Sequence, residues 1–295
     1  MVARSERSDL GLVLLASMAF ATAGPLGKVA AGVPAATVAC ARTGIAAIAI
    51  GLYARAELGP AIRALTKRQR GAVALAGVLL ATHFALFMAG LATTSLAAAV
   101  ALVSLEPLAV VLASFLAFGL RPTRRELTGL FLATLGAVVV ASAAGSGEHS
   151  LAGDALVLAC VFFYGAYVAA ARGLKDVLSP LPYATSVYGV ASVVLLPAAI
   201  VLCARAPAPS SKAALAILAL GLVPTLVGHT IVQRVARRAP PVLVALVSPG
   251  ETLGSLAIGT VVMSSAPTLR EGLGCALVLV GATLAVTGRR PTRAA

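Results

Sequence analysis

Two stretches of sequence decide the fold of this chain, ALVSLEP at residues 101–107 and ALVSPGET at residues 245–252. Their shared Ala-Leu-Val-Ser recurs at an offset of 144 residues. Downstream, PTRRELTGLFLATLGA from Pro122 returns as PTLREGLGCALVLVGA from Pro267, now at an offset of 145 residues. Two matching blocks in the same order indicate a chain built from two related halves.

The sequence around these blocks is apolar enough to lie mostly in lipid. Of 295 residues, 60% are hydrophobic and 11% are charged, whereas about one quarter of an ordinary soluble domain is charged. Apolar stretches recur that can cross a hydrocarbon core ~30 Å thick at ~1.5 Å per helical residue. We number the predicted segments 1 to 10 in chain order, at residues 10–31, 34–54, 72–92, 96–118, 128–144, 153–171, 183–204, 213–233, 242–263 and 272–288.

The predicted fold is an all-α integral membrane protein with ten transmembrane helices in two five-helix repeats. The first repeat covers residues 10–144 and the second covers residues 153–288, with a periplasmic linker at residues 145–152. Residues 1–9 and 289–295 form short cytoplasmic tails. Because five is odd, the second repeat must enter the membrane from the opposite side. Inverted repeats are typical of secondary transporters, in which two bundles rock around a site at the midplane.

The distribution of basic residues predicts the orientation. A net charge of +13 would suggest a nucleic-acid partner in a soluble protein. Here, with a cytoplasmic N-terminus, 18 of the 23 basic residues fall in the inner connections and ends, and three fall in the outer ones. The positive-inside rule then places both termini in the cytoplasm, with the bilayer and not nucleic acid as the partner. Cleavage of segment 1 as a signal peptide would break the repeat, so an uncleaved first helix is the simpler interpretation.

Ionisable residues at membrane depth are functional candidates, because burying them in lipid costs several kcal/mol. Glu106 and Glu251 are repeat mates, and both are predicted near the midplane. Pro107 interrupts the helix beside the first glutamate, and Pro249-Gly250 interrupts it before the second. Broken helices at matching points of two repeats indicate a binding site. Alternatively, either glutamate pairs with a basic residue of segments 1 and 2 to hold the bundle together.

Two histidines are candidates for proton coupling, since imidazole titrates near neutral pH. His83 is predicted at mid-depth in segment 3, and His229 lies nearer the cytoplasmic side of segment 8. Thr225, His229 and Gln233 are spaced four residues apart and form one polar stripe on that helix. The alternative is a neutral imidazole that bridges two helices through hydrogen bonds.

Segments 1 and 6 supply three further candidates. Lys28 ends a face of small residues in segment 1, and it either receives a substrate carboxylate or reaches the outer headgroups. Tyr164 and Tyr167 lie on one stripe of segment 6 with Cys160. This stripe either contacts a substrate or packs against neighbouring helices. The four cysteines are scattered singly without metal spacing, so neither a metal nor another cofactor is expected.

Several of these residues together resemble the EamA-type drug/metabolite transporter superfamily. The resemblance rests on Lys28, on Arg42 in segment 2, on Ser-Leu-Glu-Pro in segment 4, and on Gly-Asp-Ala-Leu from Gly153. Gly-x-x-Leu-x-x-x-Gly-Ala in segments 5 and 10 completes it. The second half departs from the pattern, since Ser-Pro-Gly-Glu-Thr stands where a Glu-Pro pair is expected. The resemblance covers residues 10–288.

The resemblance implies a bacterial inner-membrane carrier, often an exporter of amino acids or related metabolites. Segments 1, 3, 4, 6, 8 and 9 would surround a central cavity, with segments 5 and 10 at the periphery. Segment 2 would lie outside the cavity lining, so Arg42 is predicted to be structural. Glycines in segments 5 and 10 indicate close helix packing, and a homodimer through these two segments is one arrangement that such faces allow.

The predicted function is secondary transport, by export or exchange, of a small metabolite such as an amino acid. No G-x-x-x-x-G-K-[ST] loop occurs, so transport must draw on an ion or substrate gradient. Proton-coupled uptake of a small solute remains an alternative. An intramembrane enzyme is disfavoured, because the sequence contains no H-E-x-x-H, no G-x-S-x-G and no paired intramembrane aspartates.

Overall fold

The computed structural model describes residues 2–119, 123–143, 149–237 and 247–287. Within these residues every regular element is helical. In the first repeat, segment 1 forms Val2–Ala21 and Ala23–Val29, segment 2 forms Ala35–Tyr53, segment 3 forms Lys67–Thr93, segment 4 forms Leu96–Val103 and Glu106–Phe118, and segment 5 forms Arg124–Ala141. In the second repeat, segment 6 forms Leu151–Gly173, segment 7 forms Pro180–Cys203, segment 9 forms Val247–Met263 and segment 10 forms Leu269–Thr287. Segment 8 consists of three consecutive helices, Ser211–Leu220, Gly221–His229 and Thr230–Ala236.

Seven stretches in the described residues are long and apolar enough to cross a membrane. They correspond to segments 1 to 4 and 6 to 8, and the part of segment 9 from Gly250 to Met263 is a shorter apolar helix. The predicted start of segment 9, residues 242–246, lies outside the described residues, as do half of the linker at 145–152 and the predicted C-terminal tail. The predicted N-terminal tail is helical from Val2.

Several helices begin earlier than their apolar stretches predict. Segment 3 begins at Lys67, before the predicted residue 72, and Thr66 caps it by accepting from the Gln69 amide while Gln69 bonds back to the Thr66 amide. Segments 5 and 10 begin at Arg124 and Leu269 with the same reciprocal cap on their threonines. Hydropathy overlooks these polar first turns, whereas a capping box stabilises them.

The inner connection between segments 2 and 3 is also helical. The sequence predicts an extramembrane stretch at residues 55–71, and the structure forms Arg55–Ala64 there without a single buried residue. Glu57 lies in its first turn and Arg63 in its last. The negative charge at the N-terminal end and the positive charge at the C-terminal end each interact favourably with the helix dipole.

Prolines break segments 1 and 4, and the break in segment 4 is the one that Pro107 predicts. Segment 9 is instead continuous from Val247 to Met263, so the predicted interruption at Pro249-Gly250 is wrong, because Pro249 lies in the first turn of the described helix, where a missing amide donor is tolerated. Segment 4 is interrupted at Ser104 and Leu105, directly before Pro107. Segment 1 is interrupted at Thr22, where Pro25 cannot donate to the Ala21 carbonyl. The Ser255 hydroxyl donates to that carbonyl instead, at 2.9 Å. The broken backbone is therefore satisfied by a side chain of segment 9, as a buried carbonyl requires.

Segment 8 departs from the regular α-helix that the sequence predicts. Residues Gly221–His229 form a π-helix around Pro224. The Thr225 hydroxyl donates to the Leu220 carbonyl at 2.7 Å, so the widened turn keeps its carbonyl paired. Such π-helical stretches often occur at functional sites, because they displace side chains from their α-helical positions.

Helix packing follows the internal repeat. Segments 2 and 7 pack together, as do segments 5 and 10, and each of these pairs joins two repeat mates. Segment 3 packs on segment 6, and correspondingly segment 8 packs on segment 1. Segment 4 packs on segment 6, and segment 9 packs on segment 1. This pseudo-two-fold arrangement brings segments 4 and 9 together at the middle of the molecule.

Candidate functional site

The break in segment 4 lies against segment 9 at the pseudo-two-fold axis. The Ser104 and Thr252 hydroxyls hydrogen-bond across the axis, and the Thr252 hydroxyl also donates to the Val100 carbonyl at 3.0 Å. Glu106 and Glu251, the repeat mates, lie beside this junction and are both buried. The Ser248 hydroxyl lies 3.5 Å from the Glu106 carboxylate. The sequence pairing of the two glutamates is thus also a spatial pairing.

Both glutamates line a small closed chamber, which we call the central chamber. Its volume is about 20 Å³, room for about one water molecule, and the residues that line it are buried. Charged, imidazole and aromatic side chains alternate around it. The lining residues are Phe20, Ala23, Arg42, His83, Phe84, Phe87, Val103, Glu106, Pro224, His229 and Glu251.

Arg42 lines this chamber, which corrects the prediction that segment 2 lies outside the cavity lining; its structural role stays a prediction. Its side chain is only 1% exposed. The guanidinium Nε donates to the Thr225 hydroxyl at 2.8 Å, and Cζ lies 4.0 Å from the centre of the Phe84 ring. An arginine in an apolar stretch was a signal for a buried polar site, but the family resemblance placed segment 2 outside the cavity lining. The wide turn of segment 8 and the packing of segment 2 on segment 8 bring Arg42 inward.

The two predicted histidines meet in the chamber, although they are not repeat mates. Their ring centres are 6.0 Å apart. His83 Nδ1 donates to the Cys160 carbonyl at 3.0 Å, because a carbonyl can only accept. His229 packs between Phe20 and Phe84, with ring centres 4.6 Å and 4.9 Å away. Histidine, carboxylate and guanidinium groups therefore share one buried volume.

Two buried nitrogens in the chamber lack a protein partner within the part of the chain that the structure describes. They are Arg42 Nη1 and His229 Nδ1. An unpaired buried polar atom is costly, and native structures rarely leave one without a reason. Both atoms belong to chamber-lining residues, so a bound solute could supply their partners.

A hydrogen-bonded layer closes the predicted cytoplasmic side of the chamber. The Gln233 amide donates to the hydroxyls of Tyr167 and Tyr188. The Tyr188 hydroxyl donates in turn to the Thr225 carbonyl at 3.2 Å. Tyr164 packs nearer the chamber, and the centre of its ring lies 5.3 Å from the centre of the His83 ring. The sequence identified these residues except Tyr188, whose position on segment 7 carried no distinguishing signal.

Lys28 lies outside the chamber lining. Its Nζ donates to the Thr94 carbonyl at 2.7 Å, at the end of segment 3. The face of small residues on segment 1 is covered by segment 9, since the Ser17 hydroxyl donates to the Val247 carbonyl at 3.3 Å and Gly250 approaches Ser17 closely. This face of segment 1 therefore packs against segment 9.

A second polar cluster, absent from the sequence interpretation, lies at the predicted outer end. His149 Nε2 is 2.8 Å from the Asp154 carboxylate, and Nδ1 lies 3.3 Å from Glu271, within ion-pair distance but without hydrogen-bond alignment. Thr94 donates to Asp154 at 2.7 Å, and Ser95 donates to Glu271. This outer network joins the turn between segments 3 and 4 to segments 6 and 10, and so ties the two repeats together. No group suited to hold a metal ion occurs in the described ranges.

Comparison with known proteins places this geometry in context. The sequence model of the EamA-like transporter family matches residues 8–142 and 151–287. No curated protein matches the sequence. A solved crystal structure superimposes with a TM-score of 0.70 at 21% identity, covering 95% of this chain and 96% of that chain. At this identity the superposition demonstrates a shared fold, and the family match accounts for both halves of the chain.

Proposed function

Because the chain belongs to the EamA-like transporter family, whose members are multi-pass membrane transporters of small solutes, we propose that it carries a small zwitterionic metabolite such as an amino acid through the central chamber. The observation that supports this substrate class is the meeting of two carboxylates and one guanidinium in the same buried volume. A zwitterion would present an ammonium group to Glu106 and Glu251 and a carboxylate to Arg42.

The unpaired atoms of the chamber support the same substrate class. Among the described residues Arg42 Nη1 has no acceptor and His229 Nδ1 has no partner. A substrate carboxylate supplies two acceptor oxygens, and His229 would donate to one of them in its Nδ1–H tautomer. Charge-assisted hydrogen bonds such as that from Arg42 are about twice as strong as neutral ones. The rings of Phe20, Phe84 and Phe87 supply apolar surface for a side chain.

The transport cycle that we propose is alternating access. Ten helices would cross a bacterial inner membrane as two inverted repeats, with both termini in the cytoplasm. The break in segment 4, packed beside segment 9, would let the two halves rock around Glu106 and Glu251. The tyrosine and glutamine layer would open toward the cytoplasm, and the outer network would open toward the periplasm. Export or exchange is our preferred direction, and uptake is the alternative, since the coupling gradient decides it.

Counterflow in liposomes tests the proposal. Vesicles that contain purified protein and excess unlabelled amino acid should accumulate labelled amino acid from outside. An absence of counterflow across the proteinogenic amino acids would contradict the substrate class, and covalent conversion of lipid or peptide would identify an enzyme. The protein should also show a higher unfolding temperature with a transported amino acid, because ligand binding stabilises the folded state.

Glu106→Gln tests the role of the carboxylate. The substitution keeps the shape of the side chain and removes its charge, so the protein should insert and fold while counterflow drops or loses its pH dependence. Glu57→Gln is the matched control, because Glu57 is exposed on the helix Arg55–Ala64. Wild-type rates with unchanged pH dependence in well-folded Glu106→Gln protein would exclude Glu106 from transport and leave Glu251 and the two histidines as candidates.

A further inference from the structure

A long groove opens on the surface of the molecule, separate from the central chamber. It lies between segments 3 and 4, with segment 6 as its floor, and its volume is about 930 Å³. The second helix of segment 4 packs on segment 6 and leaves a gap beside segment 3. None of the residues that line the groove also lines the central chamber. We call this feature the inner groove.

The inner groove has the shape of a site for one lipid leaflet. Along segment 3 its lining runs from Arg68 to Leu79, which spans about 16 Å at the rise of an α-helix. This length equals about half of a hydrocarbon core ~30 Å thick. Ala166, Ala170 and Gly173 form its floor, and their small side chains leave room for an acyl chain.

The mouth of the groove is polar, whereas the rest of its lining is apolar. Thr66, Arg68 and Gln69 lie there, at the predicted cytoplasmic end. Arg68 is exposed, and the structure places no acidic residue among the lining residues that it describes. Basic residues at the cytoplasmic surface attract anionic phospholipid headgroups. A basic mouth above an apolar groove of leaflet length matches the two ends of an anionic phospholipid.

We propose that the inner groove is a binding site for an anionic phospholipid of the cytoplasmic leaflet. Arg68 binds the phosphate, Thr66 and Gln69 supply polar contacts to the headgroup, and an acyl chain lies along segment 6 toward Phe162. Lipid binding at this site requires only that the protein lies in a bilayer, so the test of the lipid site does not depend on whether the proposed substrate is correct. A bound lipid would also fill the gap between segments 3 and 4 and stabilise their spacing.

The sequence contains no tryptophan, which permits a clean fluorescence experiment. Phe162→Trp places one indole in the groove, eleven residues from the end of its helix at Gly173. Val193→Trp is the control, because Val193 is 68% exposed on segment 7 and lies at a similar depth outside the groove. Each variant is reconstituted with mixtures of an ordinary lipid and either dibrominated phosphatidylglycerol or dibrominated phosphatidylcholine, whose bromines quench tryptophan on contact.

We expect the anionic lipid to quench the Phe162→Trp protein preferentially. Its binding constant relative to the neutral lipid should be about fivefold higher, because one basic residue near an anionic headgroup contributes a factor of about this size. Val193→Trp should show no preference. Adding Arg68→Gln to the Phe162→Trp protein should abolish the preference, whereas adding Arg55→Gln should leave it unchanged, because Arg55 is exposed outside the groove.

Three results would overturn the proposal. Equal quenching by both lipids at Phe162→Trp would show that the groove does not select charge. A preference that survives Arg68→Gln would show that Arg68 does not hold the headgroup. Quenching by neither lipid would show that the groove is covered by another occupant, such as a second copy of the chain or a hydrophobic solute.

Discussion

Arg42 and Glu251 provide a quantitative test of the chamber, because a basic and an acidic side chain are both buried in its lining. Arg42→Gln removes the guanidinium over Phe84 and its hydrogen bond to Thr225. It also removes the basic group from the lining that Glu251 shares. Loss of a hydrogen bond to a charged group costs about 1.5–3 kcal/mol. At roughly 2 °C per kcal/mol for a chain of this length, the unfolding temperature should fall by about 3–6 °C.

The double variant distinguishes a coupled pair from two separate residues. Arg42→Gln with Glu251→Gln leaves no uncompensated charge at this pair, so the protein should be more stable than the sum of the single effects predicts. Interacting residues typically show coupling energies of about 0.5–3 kcal/mol. The assay is thermal unfolding of detergent-purified protein, with Arg55→Gln as an exposed control that should change stability by less than about 0.5 kcal/mol. Strict additivity of the two single effects would refute the coupling.

Three further predictions follow from the helix packing and the charge distribution. Gly281→Ala should destabilise the protein by about 1–3 kcal/mol, because its Cβ would collide with the backbone of segment 5, whereas Gly272→Ala, which has open space, should not. Single cysteines at Leu135 and Val280, both exposed, should label equally with and without substrate, whereas substrate should protect one at Tyr167; equal protection at all three positions would contradict the assignment of segments 5 and 10. A cytoplasm-active reporter at the C-terminus should be active, and activity only from a periplasmic reporter would reverse the predicted orientation.

The sequence was sufficient for the features that depend on chain-wide averages and local chemistry. Hydropathy located helices at every predicted segment, within the residues that the structure describes. Pro107 predicted the break before Glu106, because a missing amide donor interrupts a helix interior. The same reasoning failed at Pro249, which lies in the first turn of the described helix Val247–Met263. The repeat predicted that Glu106 and Glu251 correspond, and the packing of segments 4 and 9 follows from that symmetry.

Helix ends were less predictable from hydropathy than from capping chemistry. The first turns of segments 3, 5 and 10 are polar, and they remain helical because threonine caps satisfy their free amides. The sequences Thr66-Lys-Arg-Gln69 and Thr123-Arg-Arg-Glu126 carried this information. A search for capping boxes would have placed these ends within a residue or two.

The tertiary structure alone decided which polar residues share the central chamber. Nearly every face of these helices is apolar, so helical periodicity does not distinguish a face that meets lipid from a face that meets another helix. Arg42, Tyr188 and His229 come together because segments 2, 7 and 8 pack around a π-helical turn. Likewise, Lys28 is outside the chamber because small residues let segment 9 approach segment 1. Residue chemistry could therefore be read from the sequence, whereas the partners of each buried charge depend on contacts between helices far apart in the chain.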